Sequence, residues 1–130
     1  MRVLFVDDHE INRRVVKDML GAAGVEMAEA PEAETGLRMI DETAYDLILM
    51  DLRMPGMDGL AAVRRIRART DAKADVPIIM VTADVAPSIL ADSAEAGADD
   101  VLHKPVDMGS LFDAIAAVLV NRGNSVAVMA

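Results

Sequence analysis

The sequence predicts an α/β fold, a doubly wound parallel sheet of five β/α units in a single domain. Three observations carry that expectation. Short apolar runs of strand length alternate with segments of helical periodicity from one end of the chain to the other, the pattern of parallel βαβ units. One run, Leu47-Ile48-Leu49-Met50, is apolar without interruption, as a strand covered on both faces must be. Four runs also stop at polar residues: Arg2 to Val6 at Asp7-Asp8, Leu47 to Met50 at Asp51, Pro77 to Val81 at Thr82, and Asp100 to His103 at Lys104-Pro105. Open α/β sheets bind ligands outside the carboxyl ends of their strands, so these four stops mark a candidate site.

Each element has its own signal. Behind the first strand, Ile11, Val15, Met19 and Ala22 recur at helical spacing, and Gly24 supplies a stop. A short second strand is expected near 26–30. Pro31 suits the first turn of a second helix whose inner face is Ala33, Leu37 and Ile40. After the third strand, Met54-Pro55-Gly56-Met57-Asp58-Gly59 is turn chemistry with Asp58 as a helix N-cap. Leu60, Val63 and Ile66 give the third helix its inner stripe and leave Arg64, Arg65, Arg67 and Arg69 outward. The fourth helix spans Pro87 to Ala96, and Gly97 ends it. The last presents Met108, Leu111, Phe112, Ile115 and Leu119 on one side. Residues beyond Arg122 lack a helical pattern, so the expected domain is 1–122 and 123–130 a frayed or disordered tail.

Composition narrows the class. The hydrophobic content of 53% supports a core, but Phe5, Tyr45 and Phe112 are the only aromatics, so aliphatic residues and ten Met must fill it. The absence of cysteine excludes a disulfide frame and thiolate-held metal, and fits a reducing compartment. No apolar stretch approaches the ~18 residues of a membrane span, and the start is not a signal peptide. The expected location is cytoplasmic, with no membrane contact. A net charge of −9 argues against direct binding of nucleic acid.

Carboxylates gathered at strand ends suit a hard cation. Mg²⁺, or Mn²⁺ in its place, takes oxygen ligands and pairs one or two carboxylates with substrate oxygens. Two carboxylates ~4 Å apart repel by about 4 kcal/mol at an effective dielectric near 20, so Asp7, Asp8 and Asp51 together need neutralising. Lys104 offers one positive charge and a divalent ion two. Asp51, on the neighbouring strand, is the best-placed nucleophile, since a carboxylate can attack phosphorus to give an acyl phosphate. Such transfer needs mainly positioning and charge stabilisation at the phosphoryl oxygens.

These residues resemble the receiver domain of two-component response regulators, over about Arg2 to Arg122. The motifs are Val-Asp-Asp at 6–8, Leu-Met-Asp-Leu-Arg-Met-Pro-Gly-Met-Asp-Gly at 49–59, Val-Thr-Ala at 81–83 and Lys-Pro at 104–105, each ending an expected strand. The run Asp-Asp-His-Glu-Ile-Asn-Arg-Arg at 7–14 resembles receivers attached to hybrid sensor histidine kinases more than those of transcription factors. The resemblance implies a flavodoxin-like sheet in strand order 2-1-3-4-5. It implies that Asp51 is the phosphoacceptor, charged by the phosphohistidine of a sensor histidine kinase or a histidine phosphotransfer protein. Asp8 would ligate Mg²⁺ directly, Asp7 through water, and the Arg53 backbone carbonyl would complete the protein ligands together with Asp51. Lys104, the Thr82 hydroxyl and the Ala83 backbone amide would hold phosphoryl oxygens, and the Lys104–Pro105 peptide would be cis. Such a domain catalyses its own phosphorylation and dephosphorylation without being a turnover enzyme.

One position departs from the pattern. Three residues before the lysine the family usually carries an aromatic, and here stands Val101, which has no ring to turn inward behind Thr82. Thr82 and Val101 are therefore the switch positions, and the expectation is a monomer or weak dimer that relays phosphoryl groups or signals through a smaller change. Arg53 and Asp84 flank the acceptor where water would reach it. His9 and His103 are expected to be solvated neighbours, while Ile11, Arg14 and Val15 could either dock a helical phosphodonor or, for the two apolar residues, pack inward. Two rival readings are a receiver-like scaffold that is never phosphorylated and an Mg²⁺-dependent phosphohydrolase with an Asp nucleophile. The hydrolase would need an acid two residues after Asp51, where Arg53 stands.

Overall fold

The computed structural model describes residues 1–121; Arg122 and the expected tail at 123–130 lie outside the described residues. The elements are β1 (Arg2–Val6), α1 (Glu10–Ala22), β2 (Glu26–Ala30), α2 (Ala33–Glu42), β3 (Leu47–Asp51), α3 (Gly59–Arg67), β4 (Ile78–Thr82), α4 (Pro87–Ala96), β5 (Asp100–His103) and α5 (Met108–Leu119). A 3-10 turn at Ala72–Asp75, which the sequence reading did not anticipate, leads into β4. The strands form one parallel sheet in the order β2-β1-β3-β4-β5, so the flavodoxin-like topology is as expected.

Successive strand residues point to opposite faces, and the core divides accordingly. Leu4, Val6, Ile48, Met50, Ile78 and Met80 join α2, α3 and α4 in one cluster. Val3, Phe5, Leu47, Leu49, Ile79 and Val81 join α1 and α5 in the other. Every residue of β3 and β4 is buried, which is why these strands carry no alternation. Asp58 caps α3 by accepting a hydrogen bond from the Ala61 amide at 2.9 Å.

Four details of the helices depart from expectation. In α1 the buried residues are Val16 and Leu20, whereas Ile11 is 77% and Val15 43% exposed. The helix carries two apolar stripes about one residue apart. The short connection from β1, with Arg13 tied back to the Asp7 carbonyl, fixes which stripe turns inward. Pro31 lies ahead of α2 rather than in its first turn, because β2 runs through Ala30 and the chain uses Pro31 and Glu32 to turn. Met108, at the first position of α5, is 45% exposed, and Val118 takes the inward place beside Leu111 and Ile115.

The fourth correction concerns the arginines. Arg64 and Arg65 are exposed, but Arg67 is a tie between three segments. Its guanidinium donates to the carbonyls of Gly97, Ala74 and Val76 at 2.7–2.8 Å and pairs with Asp99 at 3.2 Å. Gly97 has φ 113° and lies so close that a Cβ there would meet the Arg67 side chain, so glycine is needed on both counts. Arg69 is likewise engaged, with Asp71 at 2.8 Å and Asp41 at 2.5 Å. Removing Arg67 strands three carbonyls that a charged donor satisfied. Arg67→Ala is expected to lose about 2–3 kcal/mol of stability in urea unfolding, while Arg64→Ala leaves the midpoint unchanged.

Candidate functional site

The sheet order reverses between β1 and β3, and the crevice at their carboxyl ends is where the polar stops converge. Val6 pairs with Met50, so Asp7 and Asp51 stand side by side one residue further on. The Asp7 amide donates to the Ala30 carbonyl at 3.1 Å, which extends the ladder by that residue. Asp7 and Asp51 share the strand parity of Phe5 and Leu49, and Lys104 that of Leu102, so all three belong to the α1 and α5 side. Thr82 has the opposite parity and approaches from the α3 and α4 side. The Lys104 amide donates to the Thr82 carbonyl at 2.8 Å, holding the end of β5 against β4, and the Lys104–Pro105 peptide is cis as expected.

Lys104 is the hub of the cluster. Its ammonium stands 3.1 Å from Asp7 Oδ2 and 3.1 Å from Asp51 Oδ1. Burial pulls the Lys104 pKa down, but Asp51 and Asp7 outweigh it and leave it raised. Asp51 is 3% exposed, and burial, then Asp7, pushes its pKa up to about 6 against the pull of Lys104. One ammonium therefore does not fully compensate the carboxylates.

Asp7 is fully engaged. Its Oδ1 accepts the His9 amide at 2.8 Å, and its Oδ2 is reached by Lys104 and, at 3.5 Å, by Asn12. Two buried oxygens lack a hydrogen-bond partner, Asp8 Oδ1 and Asp51 Oδ2. Asp7, Asp8, His9 and Asp51 each offer a donor atom within 4.8 Å of the others. His9 is the solvated neighbour expected, its ring 65% exposed, and its Nδ1 lies 3.1 Å from Asp8 Oδ1 and 3.4 Å from Asp7 Oδ1.

The sequence reading missed a supporting layer. Arg13 donates to the Asp7 carbonyl at 2.7 Å and to Glu29 at 2.8 Å, and Lys17 reaches Glu29 at 3.2 Å. Arg13 beside it holds Glu29 below the usual carboxylate range. This chain of contacts clamps the turn that carries Asp7 and Asp8. Its signal was an arginine one helical turn past the acidic pair, legible only once β2 is known to pair with β1.

Thr82 is buried at the end of β4, where its hydroxyl oxygen accepts the Asp84 amide at 2.9 Å and its proton stays free to be donated. Ala83 follows it on the exposed rim. Arg53, after β3, pairs with Asp84 at 2.6 Å, so a surface ion pair bridges the two loops at the mouth of the crevice. Val101 pairs with Met80 further down the sheet and does not reach the cluster. It lines a small hollow of about 90 Å³ with Leu90, Ser93 and Ala94 of α4.

The family model of the response regulator receiver domain matches residues 3–116. The chain belongs to that receiver-domain family. Among its relatives, the sensory/regulatory protein RpfC of Xanthomonas campestris pv. campestris is 36% identical over 122 residues, 93% of this chain and 17% of RpfC. The receiver domain thus spans about a sixth of that relative. A rice protein, two-component response regulator ORR41, is 41% identical over 115 residues that cover 85% of this chain and 88% of its own. A solved structure, the receiver domain of the Pseudomonas aeruginosa sensor histidine kinase PA1611, superposes with a TM-score of 0.81 at 32% identity, covering 89% of this chain and 94% of that one. Its magnesium ion is coordinated in the active-site cleft. Receiver domains work in two-component signal transduction and generally bind Mg²⁺ at an acidic pocket.

The raised Asp51 pKa has a consequence for stability. In the unfolded chain the carboxyl ionises near 3.8, in the fold near 6, so ionisation costs the folded state. That cost is absent below about pH 4, grows as pH rises from 4 to 6, and is complete above. Asp51→Asn removes it. In Mg²⁺-free buffer at pH 7.5 the variant should be more stable than the parent by on the order of 2 kcal/mol, with the gap closing toward pH 4. Urea unfolding at the two pH values measures it, and a less stable variant at pH 7.5 would contradict the electrostatic account.

Proposed function

We propose that this receiver domain accepts a phosphoryl group on Asp51 from the phosphohistidine of a sensor histidine kinase or histidine phosphotransfer protein, as one step of a cytoplasmic phosphorelay. The observation that carries the reading is the state of the Asp51 carboxylate. It is buried, with one oxygen held by Lys104 and the other left without a hydrogen bond beside Asp8. In the transfer an Asp51 oxygen forms a bond to phosphorus as the donor's P–N bond breaks, the electron pair returning to the imidazole. Lys104 is within reach to follow the new negative charge, and the free proton of Thr82 and the Ala83 amide can meet the other phosphoryl oxygens.

The donor set fits Mg²⁺. The ligand atoms are carboxylate oxygens, two of them orphaned, in a pocket with surplus negative charge. Asp8 and Asp51 would hold the ion with the Arg53 backbone carbonyl, and Asp7, whose oxygens are already engaged, would act through water. When bound, the ion supplies charge neutralisation for the phosphoryl oxygens. The exposed Ile11 and Val15 on α1, close to the crevice, support docking of a helical phosphodonor. Arg53 and Asp84 limit the approach of water to the acyl phosphate. Because Val101 offers no ring to rotate, the response runs through a smaller displacement of α4, and the unit, residues 1–122, stays a monomer or weak dimer.

Intact mass after incubation with a small phosphodonor and Mg²⁺ tests the reading. One base-labile label per chain is expected, absent without Mg²⁺ and absent in Asp51→Asn, with sedimentation unchanged by labelling. A label that survives in Asp51→Asn would refute the assignment; no label at all would favour an unphosphorylated scaffold, and continuous turnover of an added phosphoester a hydrolase.

A further inference from the structure

We propose that His9 adds a nitrogen ligand to the acidic pocket, so that a borderline divalent ion, Zn²⁺, competes there with Mg²⁺. The inference rests on the reading of this pocket as a cation site and goes beyond it in ligand and ion. The oxygens of the cluster fall into two groups. Lys104, Asn12 and the His9 amide occupy both oxygens of Asp7 and one of Asp51. Asp51 Oδ2 and Asp8 Oδ1 remain, both buried atoms without a hydrogen-bond partner, on side chains that are 4% and 25% exposed respectively. The His9 Nδ1 stands 3.1 Å from that same Asp8 oxygen.

Asp8, His9 and Asp51 thus each bring a donor atom to one small region, with the His9 ring on its solvent side. His9 is held to the task by its backbone: it is the N-cap of α1, and its amide is fixed on Asp7 Oδ1. Its ring is mostly exposed, so an entering ion meets the imidazole first. The four donor atoms lie within 4.8 Å of one another. An ion with bonds of ~2.1 Å needs its donors no more than ~4.2 Å apart, which small side-chain rotations provide. Mg²⁺ gains nothing from imidazole, because it takes oxygen and sheds water reluctantly. Zn²⁺ takes nitrogen and carboxylate oxygen readily, and sites of mixed N and O donors favour later first-row ions. His9 is then a selectivity residue whose presence lets the pocket respond to ions other than Mg²⁺.

Calorimetric titration with Zn²⁺ alone and with Mg²⁺ alone, on the parent domain, His9→Ala and His103→Ala, tests the proposal. Zn²⁺ is expected to bind the parent one to one, and His9→Ala to weaken it by roughly tenfold while moving Mg²⁺ by less than about twofold. His103→Ala, the remaining histidine, should change neither. Equal weakening of both ions in His9→Ala, or Zn²⁺ affinity that follows His103 instead, would overturn it. Such a result leaves Mg²⁺-dependent labelling of Asp51 intact, whereas a parent domain that binds neither ion would sink the cation site itself.

Discussion

Three carboxylates and one ammonium share a pocket at the point where the strand order reverses, and the imbalance between them governs the rest of the molecule. Lys104 bridges Asp7 and Asp51 at 3.1 Å each, yet Asp51 still titrates near 6 because burial and Asp7 together outweigh that bridge. At the separations within this cluster a pair of like charges costs about 3.5 kcal/mol or more at an effective dielectric near 20, a large fraction of what a domain of this size has in hand. The arrangement is held at a cost and is relieved by whatever brings positive charge or removes negative charge. A divalent cation does the first. The proposed phosphoryl transfer would depend on it, since the dianionic group would arrive where charge is already in excess.

A soft scaffold would disperse such a cluster, and here the scaffold is stiff. Asp7 and Asp51 extend adjacent strands that are buried from Val3 to Val6 and from Leu47 to Met50, so neither can retreat to solvent without breaking the ladder. Gly59 lets α3 start directly against the backbone of Asp51, where a Cβ would collide with the Asp51 carbonyl oxygen. On the other side Arg13 locks the carbonyl of Asp7 to Glu29 on β2. The pocket is thus clamped from both flanks, and its electrostatic tension is retained for binding.

Much of this was legible in the sequence because strand parity and strand-end position are one-dimensional facts. Asp7, Asp51, Thr82 and Lys104 could be brought together from the ends of four apolar runs, and the unbroken run at 47–50 could only be a central strand. What the sequence hid depends on the phase of helices and on contacts between distant segments. Ile11 and Val15 have the spacing of a buried stripe, yet Val16 and Leu20 face the sheet, because the loop after β1 sets the rotation of α1. Arg67 sits among arginines that are surface residues by pattern, and only the approach of Gly97, Ala74 and Val76 makes it a tie. His9 reads as a solvated neighbour and is one, but its 3.1 Å approach to Asp8 Oδ1 depends on a side-chain rotation that no sequence pattern records.

The central claim is that the pocket stores unfavourable charge that a divalent cation relieves. Thermal unfolding over a series of Mg²⁺ concentrations at constant ionic strength tests it most directly. The account predicts a midpoint that climbs with Mg²⁺ and saturates in the parent domain, and a much smaller climb when Asp8 is changed to Asn. A midpoint indifferent to Mg²⁺ in the parent domain would contradict it.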